Sequence, residues 1–241
     1  MSVYCPALMY HRVVPDTEQP DGISVTCGAF ARHLAWLREW GYRSVAAADL
    51  AAALDGGQRL PRRPLILTFD DGFRDNLTHA LPLLQQAGFG ALVFPVVEFI
   101  GGRRAFGKAK GEPLLAADEI REMAAAGVEF GAHTLTHPHL PALPDSQARS
   151  EIADSKRRLE DLLRGEVLAL CYPFGEFGAR EMDLAREAGY RCAFAVRRGN
   201  RHWPSERFRL SRVWVNETTT RRRLAYRLSR PYDWAARLRT P

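Results

Sequence analysis

The sequence predicts an α/β fold with a parallel sheet in a single domain. Short apolar segments alternate with segments of helical periodicity along the chain, which favours parallel strands joined by crossover helices. A length of 241 residues is enough for one α/β barrel or for two small domains. No Gly-, Ser- or Pro-rich linker and no break in composition divides the chain, so one domain is the better prediction.

The predicted strands are short, apolar and bounded by glycine, proline or polar residues. The first of them is followed directly by His11, and the third directly by an acidic pair. In chain order, strands are predicted at residues 7–10, 43–45, 65–69, 91–97, 128–132, 167–172, 192–196 and 212–215.

Helical periodicity marks most segments between these strands, and a glycine follows most of them as a stop signal. Phe30, Leu34 and Leu37 fall on one face of the first predicted helix, which Gly41 ends. Pro82 is expected near the first turn of its helix. Further helices are predicted at residues 47–54, 77–87, 118–126, 146–163 and 180–188, and a glycine-rich basic loop at residues 99–112.

The residues that suggest chemistry follow predicted strands. Asp70 and Asp71 follow one strand, and His133 and His137 follow another. Adjacent side chains on extended backbone point in different directions, so one carboxylate can bind a metal while the other acts as a base. Alone, an Asp-Asp-Gly segment is usually a turn, and a His-x-x-x-His segment is often a helix face or a solvated loop. Together they predict a three-ligand metal site with an open position for water, which is typical of catalytic zinc.

These residues carry a resemblance to the polysaccharide deacetylases of carbohydrate esterase family 4. Residues 68–72 (Thr-Phe-Asp-Asp-Gly) match the first motif of that family, and residues 133–137 (His-Thr-Leu-Thr-His) match the second. Residues 172–175 (Tyr-Pro-Phe-Gly) resemble the third motif. The resemblance covers residues 3–215 and implies a distorted (β/α) barrel of about seven parallel strands.

The resemblance implies a metal-dependent hydrolase that removes N-acetyl groups from an amino-sugar-containing polysaccharide or its precursor. By their positions in the family motifs, Asp71, His133 and His137 of this chain would bind the metal. Zn²⁺ is the expected ion, and another divalent transition metal is the alternative. Asp70 would be the general base that activates water.

The third motif would form the substrate and oxyanion side of the site through Tyr172, Pro173 and Phe174. The backbone N–H of Phe174 would stabilise the oxyanion, a role that does not depend on its side chain. The side chains of Tyr172 and Phe174 are expected to pack in the core.

The chain departs from the common family pattern in two places. Cys171 occupies the position of an arginine that pairs with the base carboxylate, and Arg74 is a nearby candidate replacement. The C-terminal motif that supplies a general acid is missing, and His202, the last histidine, follows no apolar strand. Residues 8–13 resemble circularly permuted exopolysaccharide deacetylases, in which the first strand supplies the acid, so the resemblance implies that His11 has this role.

The basic residues concentrate at the C-terminal end. The net charge is +6 and the pI about 9.4, and residues 221–241 hold seven arginines against one acid, Asp233. Residues 1–218 are therefore predicted to form the catalytic barrel and residues 219–241 a basic tail, in which Tyr226, Tyr232, Trp234 and Leu238 are interleaved. This tail is either a solvated or packed segment, or a peripheral membrane anchor.

Other features restrict the class of protein and its expected location. No nucleic-acid-binding motif is present, so no nucleic-acid partner is predicted. The first residues lack the pattern of a signal peptide and no stretch is long enough to span a bilayer, so the expected location is cytoplasmic, with contact to the inner face of the membrane through the tail. Cys171 and Cys192 are expected to be buried free thiols.

Two alternatives remain open. The chain could be an O-acetyl esterase, or a deformylase of a lipid-linked sugar, because the sequence does not resolve the chemistry of the pocket. It could also be a catalytically inactive carbohydrate-binding member. The retention of Asp70 beside the three metal ligands argues against this second alternative, because binding alone does not need a base.

Overall fold

Parallel strands form the centre of the protein, which a computed structural model describes over residues 2–106 and 111–237. The strands are β1 (Val3–Tyr4), β2 (Ala7–Tyr10), β3 (Arg12–Val14), β4 (Ser24–Thr26), β5 (Arg43–Ser44), β6 (Pro64–Asp71), β7 (Leu92–Pro95), β8 (Glu129–Phe130), β9 (Ala169–Cys171), β10 (Cys192–Phe194), β11 (Arg201–His202) and β12 (Val213–Trp214). The helices are α1 (Cys27–Glu39), α2 (Ala47–Leu54), α3 (Leu81–Ala87), α4 (Ala117–Ala125), α5 (Asp145–Leu163), α6 (Ala179–Glu187), α7 (Arg221–Arg227) and α8 (Arg230–Arg237).

The strands follow one another around an interrupted ring. The order β12–β2–β6–β7–β8 is parallel throughout, β5 pairs with the start of β6, and β9 and β10 form a second parallel pair. Single parallel bridges join the two groups, one between Ala132 and Leu170 and one between Phe194 and Leu210. This arrangement confirms the predicted α/β fold and its distorted barrel.

The central strand β6 is buried along its whole length, as expected for a parallel strand that is covered on both faces. Leu65, Leu67 and Phe69 pack in the larger hydrophobic cluster with α1, whereas Ile66 packs with the residues that fill the barrel interior. Because side chains alternate along a strand, Asp70 continues the inward-facing series of Ile66. The strand therefore delivers a carboxylate to the end of the barrel interior.

Helix α1 packs on the outside of this strand through aromatic residues. The side chain of Thr26 caps the helix by accepting a hydrogen bond from the backbone N–H of Ala29 (3.2 Å). The ring of Phe30 lies edge-on to Tyr10 and to Phe69, with centroid distances of 5.2 and 5.8 Å. The apolar face predicted from the sequence is thus the face that covers β2 and β6.

Several predicted bounds differ from the observed ones, and β1, β3, β4 and β11 were not predicted. The helix predicted at residues 77–87 begins with a π-helical turn, Asn76–Ala80, and Pro82 lies in the first turn of α3. The strand predicted at residues 128–132 is shortened to Glu129–Phe130. At Gly131 a Cβ atom would lie 2.4 Å from the ring of Phe94 and 2.6 Å from the oxygen of Ala169, so the chain there runs too close to its neighbours for any side chain.

The basic tail packs against the barrel over its described length. Leu224 and Leu228 are buried, and buried Asp233 accepts hydrogen bonds from the backbone N–H groups of Asn200 (2.7 Å) and Arg201 (3.0 Å). Leu238 and the residues after it lie outside the described residues. The boundary between barrel and tail at residue 218 stays a prediction.

Two further expectations concern membranes and thiols. Within residues 2–106 and 111–237, no helix combines the length and the apolar character that crossing a bilayer needs. The four cysteines are free, and Cys171 and Cys192 are buried as expected.

Candidate metal centre and active site

The predicted site residues meet in one cavity of about 300 Å³ at the carboxyl ends of the strands. His11 follows β2, the acidic pair ends β6, and the two histidines follow β8. The lining residues are Met9, His11, Ile23, Asp70, Asp71, Arg104, His133, His137, Tyr172, Phe174, Val196 and Trp214. Pro173 is buried next to the cavity but is not part of this lining.

The backbone around the cavity adopts left-handed conformations that side chains disfavour. Of the six non-glycine residues with positive φ in the described part of the chain, four lie in these motifs: Asp71 (70°), Thr134 (64°), His137 (61°) and Phe174 (58°). Thr134 is β-branched, for which this region is a genuine outlier, and its hydroxyl accepts a hydrogen bond from the N–H of His137 (3.1 Å). Such strain concentrates at functional sites, where the surrounding structure enforces it.

Three of these side chains form a candidate metal centre. Single ligand atoms of Asp71, His133 and His137 all lie within 4.8 Å of one another, and all three residues are buried. Oδ1 of Asp71 is 3.7 Å from Nε2 of His133 and 3.5 Å from Nε2 of His137. The donor set of two imidazoles and one carboxylate fits a catalytic divalent metal such as zinc.

The protonation states also fit a bound cation. Nδ1 of His133 donates to the backbone oxygen of Cys171 (2.7 Å), so the neutral ring turns the lone pair of Nε2 towards Asp71. Burial lowers the pKa of both His133 and His137, which keeps the rings neutral and able to bind a metal. Burial also raises the pKa of Asp71, because its neighbours compensate its charge only in part. A cation at this point would stabilise that carboxylate.

A second group of candidate ligands, Asp70, His133 and Cys171, is less suitable. Burial raises the pKa of the Cys171 thiol well above its usual value, and only the thiolate is a good metal ligand. Both carboxylate oxygens of Asp70 already accept hydrogen bonds from Arg212. The set of Asp71, His133 and His137 is therefore the better candidate.

Asp70 is held as a buried carboxylate by Arg212. The guanidinium donates to its two oxygens at 2.5 and 2.8 Å, a bidentate geometry, and also lies 3.1 Å from Sγ of Cys171. Burial alone would raise the pKa of Asp70, but the charge and hydrogen bonds of Arg212 reverse this and hold it well below its usual value. Asp70 is thus ionised at neutral pH, as a general base must be.

This pairing corrects the expectation for Arg74. Arg74 is exposed and pairs with Glu119 at 2.6 Å, away from Asp70. The arginine that takes over from the missing motif residue at Cys171 is Arg212, directly before β12. The sequence signal for this pairing was a lone arginine at the start of a predicted apolar strand. The charge of such an arginine needs a partner once the strand is buried.

Replacing Arg212 with Lys is expected to raise the pKa of Asp70, because a lysine keeps the charge but loses the bidentate hydrogen bonds. The folded pKa of Asp70 is lowered, so its ionised form persists to low pH and is lost only as the pH falls through that value. In Arg212→Lys the acid limb of kcat/KM should therefore move to higher pH, and acid unfolding should begin at higher pH. Rate profiles and melting curves against pH test this. Unchanged profiles would contradict it.

Arg104 holds the other oxygen of Asp71, the carboxylate of the candidate metal centre. It is buried, pairs with Oδ2 of Asp71 at 2.8 Å, and lies over the rings of Phe73 (5.3 Å) and Phe106 (4.6 Å). Oδ1 of Asp71 therefore remains available to a metal while Oδ2 is fixed. Arg104 belongs to the basic loop predicted at residues 99–112, of which residues 107–110 lie outside the described residues.

His11 lines the same cavity as Asp70. Its backbone oxygen accepts a hydrogen bond from Asn76 (2.9 Å), and its ring lies 5.7 Å from that of Trp214. Burial lowers the pKa of His11 to about 4, and the nearby Asp70 opposes this shift. His202, the other candidate acid, lies elsewhere on β11, with Nε2 2.9 Å from the oxygen of Cys5.

The third motif behaves differently at its two aromatic positions. Tyr172 is buried as expected, and its hydroxyl donates to the backbone oxygen of Phe208 (3.0 Å). The expectation that Phe174 packs in the core is wrong, since its side chain is 45% exposed. Its ring instead stacks on His139 (4.1 Å) and meets His137 edge-on (4.6 Å), so that it forms one wall of the cavity.

Comparisons with known proteins agree in pointing to one family. A family model described as polysaccharide deacetylase matches residues 57–193. The Bacillus subtilis protein YxkH, whose name places it with polysaccharide deacetylases, is 26% identical over 211 residues, which cover 88% of this chain and 71% of that protein. The poly-beta-1,6-N-acetyl-D-glucosamine N-deacetylase of Escherichia coli is 26% identical over 227 residues, which cover 80% of this chain and 34% of that protein.

A solved structure supports the fold. The Streptococcus pyogenes deacetylase PplD in complex with acetate superposes with a TM-score of 0.84 at 22% identity, covering 95% of this chain and 100% of that one. This chain spans about a third of the length of the Escherichia coli relative.

Proposed function

The chain belongs to the polysaccharide deacetylase family, and from this we propose that it is a metal-dependent hydrolase that removes N-acetyl groups from an amino-sugar-containing polysaccharide or its precursor. The observation that carries the proposal is the cavity itself. It combines two imidazoles and one carboxylate, whose ligand atoms lie within 4.8 Å of one another, with a second carboxylate, Asp70, that is held ionised. Such a pairing of ligand set and base is the requirement for hydrolysis of an amide.

In this proposal Asp71, His133 and His137 hold the metal, with zinc as the expected ion. A bound divalent ion supplies Lewis acidity and lowers the pKa of water. Asp70 accepts the proton of the attacking water, and Arg212 keeps it oriented and ionised for that step. The backbone N–H of Phe174 would stabilise charge on the amide oxygen.

His11 is proposed as the general acid that protonates the departing amine. It lines the same cavity as Asp70 and directly follows β2, which pairs with β6 on the side opposite to β7. The neutral state favoured by its low pKa means that it must gain its proton during turnover, and the charge of Asp70 favours that gain.

Replacing His11 with Ala is therefore expected to lower kcat by about two to four orders of magnitude, the usual contribution of a general acid. The metal content should be unchanged, because His11 is not one of the candidate ligands. Turnover and elemental analysis of the purified variant test this, with His202→Ala as the matched control. A His11→Ala protein of normal turnover would refute the assignment.

The proposed substrate class rests on the name of a relative. The Escherichia coli relative is named as acting on poly-beta-1,6-N-acetyl-D-glucosamine, so we propose an N-acetylglucosamine polymer or its precursor as the substrate here. The O-acetyl esterase, deformylase and inactive-binder alternatives are not favoured, because this relative is an N-deacetylase and the complete residue set is present.

Mass spectrometry of N-acetylglucosamine oligomers incubated with the metal-loaded protein tests the proposed activity. We expect each hydrolysed sugar to lose the mass of one acetyl group, with release of an equal amount of acetate. Asp70→Asn serves as the inactive control. Loss of acetyl groups from O-acetylated sugars alone, or from none of the substrates, would overturn the proposal.

We also propose that the tail contacts an anionic membrane surface, which would place the protein at the inner face of the membrane. Although the tail packs on the barrel, its outer face leaves Tyr226 55% and Trp234 68% exposed, beside the exposed residues Arg222, Arg223 and Arg230. Basic residues near anionic lipid contribute about 1 kcal/mol each, and interfacial aromatics add to this.

Replacing Arg222, Arg223 and Arg230 together with Gln is expected to abolish co-sedimentation with phosphatidylserine-containing vesicles. The matched control replaces three exposed arginines elsewhere, Arg59, Arg62 and Arg121, and should still sediment. Equal binding of both variants, or equal binding of the wild type to neutral vesicles, would contradict the proposal.

A further inference from the structure

A second cavity, of about 480 Å³, adjoins the candidate active site. The two cavities share Met9, Val196 and Trp214 in their walls. The second cavity is completed by the side chains of Arg198, Arg212, Arg227 and Tyr232. Two of these four residues, Arg227 and Tyr232, come from the tail helices α7 and α8. The tail therefore builds a wall of a cavity that adjoins the candidate active site.

We call this second cavity the arginine cavity, because the described residues that line it include three arginines and no acidic side chain. Arg212 is neutralised by Asp70. Arg227 donates instead to uncharged groups, the backbone oxygen of Trp214 and, at 3.4 Å, the hydroxyl of Thr219. Arg198 is exposed, and in residues 2–106 and 111–237 neither Arg198 nor Arg227 has a carboxylate within ion-pair distance.

Two acids that adjoin lining residues are already engaged. Asp233 of α8 is buried and accepts hydrogen bonds from the backbone N–H groups of Asn200 and Arg201. Both oxygens of Asp70 are held by Arg212. The charges of Arg198 and Arg227 are therefore not compensated by the walls of the cavity, and a concave basic surface concentrates positive potential.

We propose that the arginine cavity binds an anionic group, a carboxylate or a phosphate, on the sugar next to the one that is deacetylated. The inference rests on the proposed function, because it extends the same site by one subsite. Arginine donates paired hydrogen bonds in the planar geometry that carboxylate and phosphate oxygens accept. The preferred substrate is thus an acidic N-acetylated glycan, with the charge supplied by a uronic acid or by a phosphate ester.

Trp214 links the two subsites. It lies in the walls of both cavities, its ring is 5.7 Å from that of His11, and its side chain is partly exposed. An exposed aromatic ring between two polar subsites provides an apolar surface on which a sugar ring can pack. A saccharide that crosses Trp214 would place its acetamido group at Asp70 and its neighbour against Arg198 and Arg227.

Binding and turnover of three trisaccharides of equal length test this proposal. One is the neutral N-acetylglucosamine trimer, one carries glucuronic acid next to the reacting sugar, and one carries a phosphate ester there. The His11→Ala protein, in which the pair of Asp70 and Arg212 is intact and turnover is expected to be slow, allows binding to be measured calorimetrically with little hydrolysis. Inorganic phosphate serves as a minimal probe. We expect at least one acidic trisaccharide to bind roughly ten-fold more tightly than the neutral one, the effect of one charge-assisted hydrogen bond. The acidic trisaccharide with the higher affinity shows whether the cavity prefers a carboxylate or a phosphate.

Arg198→Gln should remove this gain and raise KM for the acidic substrate while kcat stays unchanged. Arg198 is exposed, so this substitution should fold normally, and Arg227→Gln provides a second test from the opposite wall. Arg222→Gln is the matched control, because Arg222 is exposed on α7 outside the cavity. It should leave all three affinities unchanged.

Equal affinity for acidic and neutral trisaccharides would overturn the proposal, as would equal losses in Arg198→Gln and Arg222→Gln. Binding to anionic vesicles without binding to either soluble acidic trisaccharide would assign the arginines to a membrane and also overturn it. Failure of the proposed function is a separate result, because wild-type protein would then deacetylate none of the trisaccharides although the anion binding could persist.

Discussion

Replacing Asp71 or His133 with Ala is expected to abolish tight metal binding and, with it, all measurable turnover. These residues contribute two of three ligand atoms that lie within 4.8 Å of one another in a buried pocket. Two remaining ligands form an incomplete site, because catalytic zinc is held by three protein ligands. Elemental analysis after dialysis against a weak chelator measures the loss, and added metal should stabilise only the wild type against heat.

His139→Ala is the matched control for this experiment. His139 lies two residues from His137 and stacks on Phe174, but its Nδ1 pairs with the exposed Glu176 at 2.8 Å. The variant should therefore keep one metal ion per chain. An Asp71→Ala protein that retained stoichiometric metal would show that Asp70, His133 and Cys171, the second group of candidate ligands, form the site instead.

Asp70→Asn is expected to keep the metal and to lower kcat by about two to four orders of magnitude, the usual contribution of general acid–base catalysis. An amide cannot accept the proton of water, while its shape still fills the position beside Arg212. The substitution also leaves Arg212 buried without a counter-charge, which should cost about 3–5 kcal/mol of stability. Metal content, turnover and melting temperature, measured on the same sample, separate these effects.

Asp75→Asn controls for the loss of an acid of intermediate burial near the cavity. Asp75 is paired with Arg12 at 2.9 Å and does not line the cavity. This variant should therefore lose stability but keep turnover in the folded fraction. An Asp70→Asn protein with wild-type turnover would remove Asp70 from the mechanism.

The elements that the sequence predicted well depend on local patterns. Helix α2 has the predicted bounds, and α1 buries the predicted residues Phe30, Leu34 and Leu37, because apolar spacing and glycine stops act over a few residues. The ligand set could also be predicted, because each motif directly follows an apolar strand and such strand ends meet at one edge of a parallel sheet.

The interactions that could not be predicted are long-range. Arg212 and Asp70 are 142 residues apart, and no local pattern connects them. The same holds for Arg104, which reaches Asp71 from a loop whose only sequence signal was its glycine and basic content. Whether the tail packs on the barrel could not be predicted from the sequence for a related reason. Its packing depends on distant contacts, in which Asp233 accepts hydrogen bonds from the backbone N–H groups of Asn200 and Arg201.

The exposed position of Phe174 was missed because of its backbone conformation. A left-handed φ of 58° at a bulky residue turns its side chain out of the direction that a strand or helix would give it. Glycine, asparagine and aspartate are the residues that indicate such a conformation in a sequence, and none of them occupies this position.

The left-handed residues of the cavity also set a limit on directed evolution of this protein. Each of Asp71, His137 and Phe174 carries about 1–2 kcal/mol of conformational energy that a glycine would release. Libraries screened for heat resistance alone would therefore enrich glycine at these positions, and two of them are candidate metal ligands. Phe174 is the exception, because its proposed contribution comes from the backbone. A library for a more heat-stable enzyme should therefore vary residue 174 and keep Asp71 and His137 unchanged.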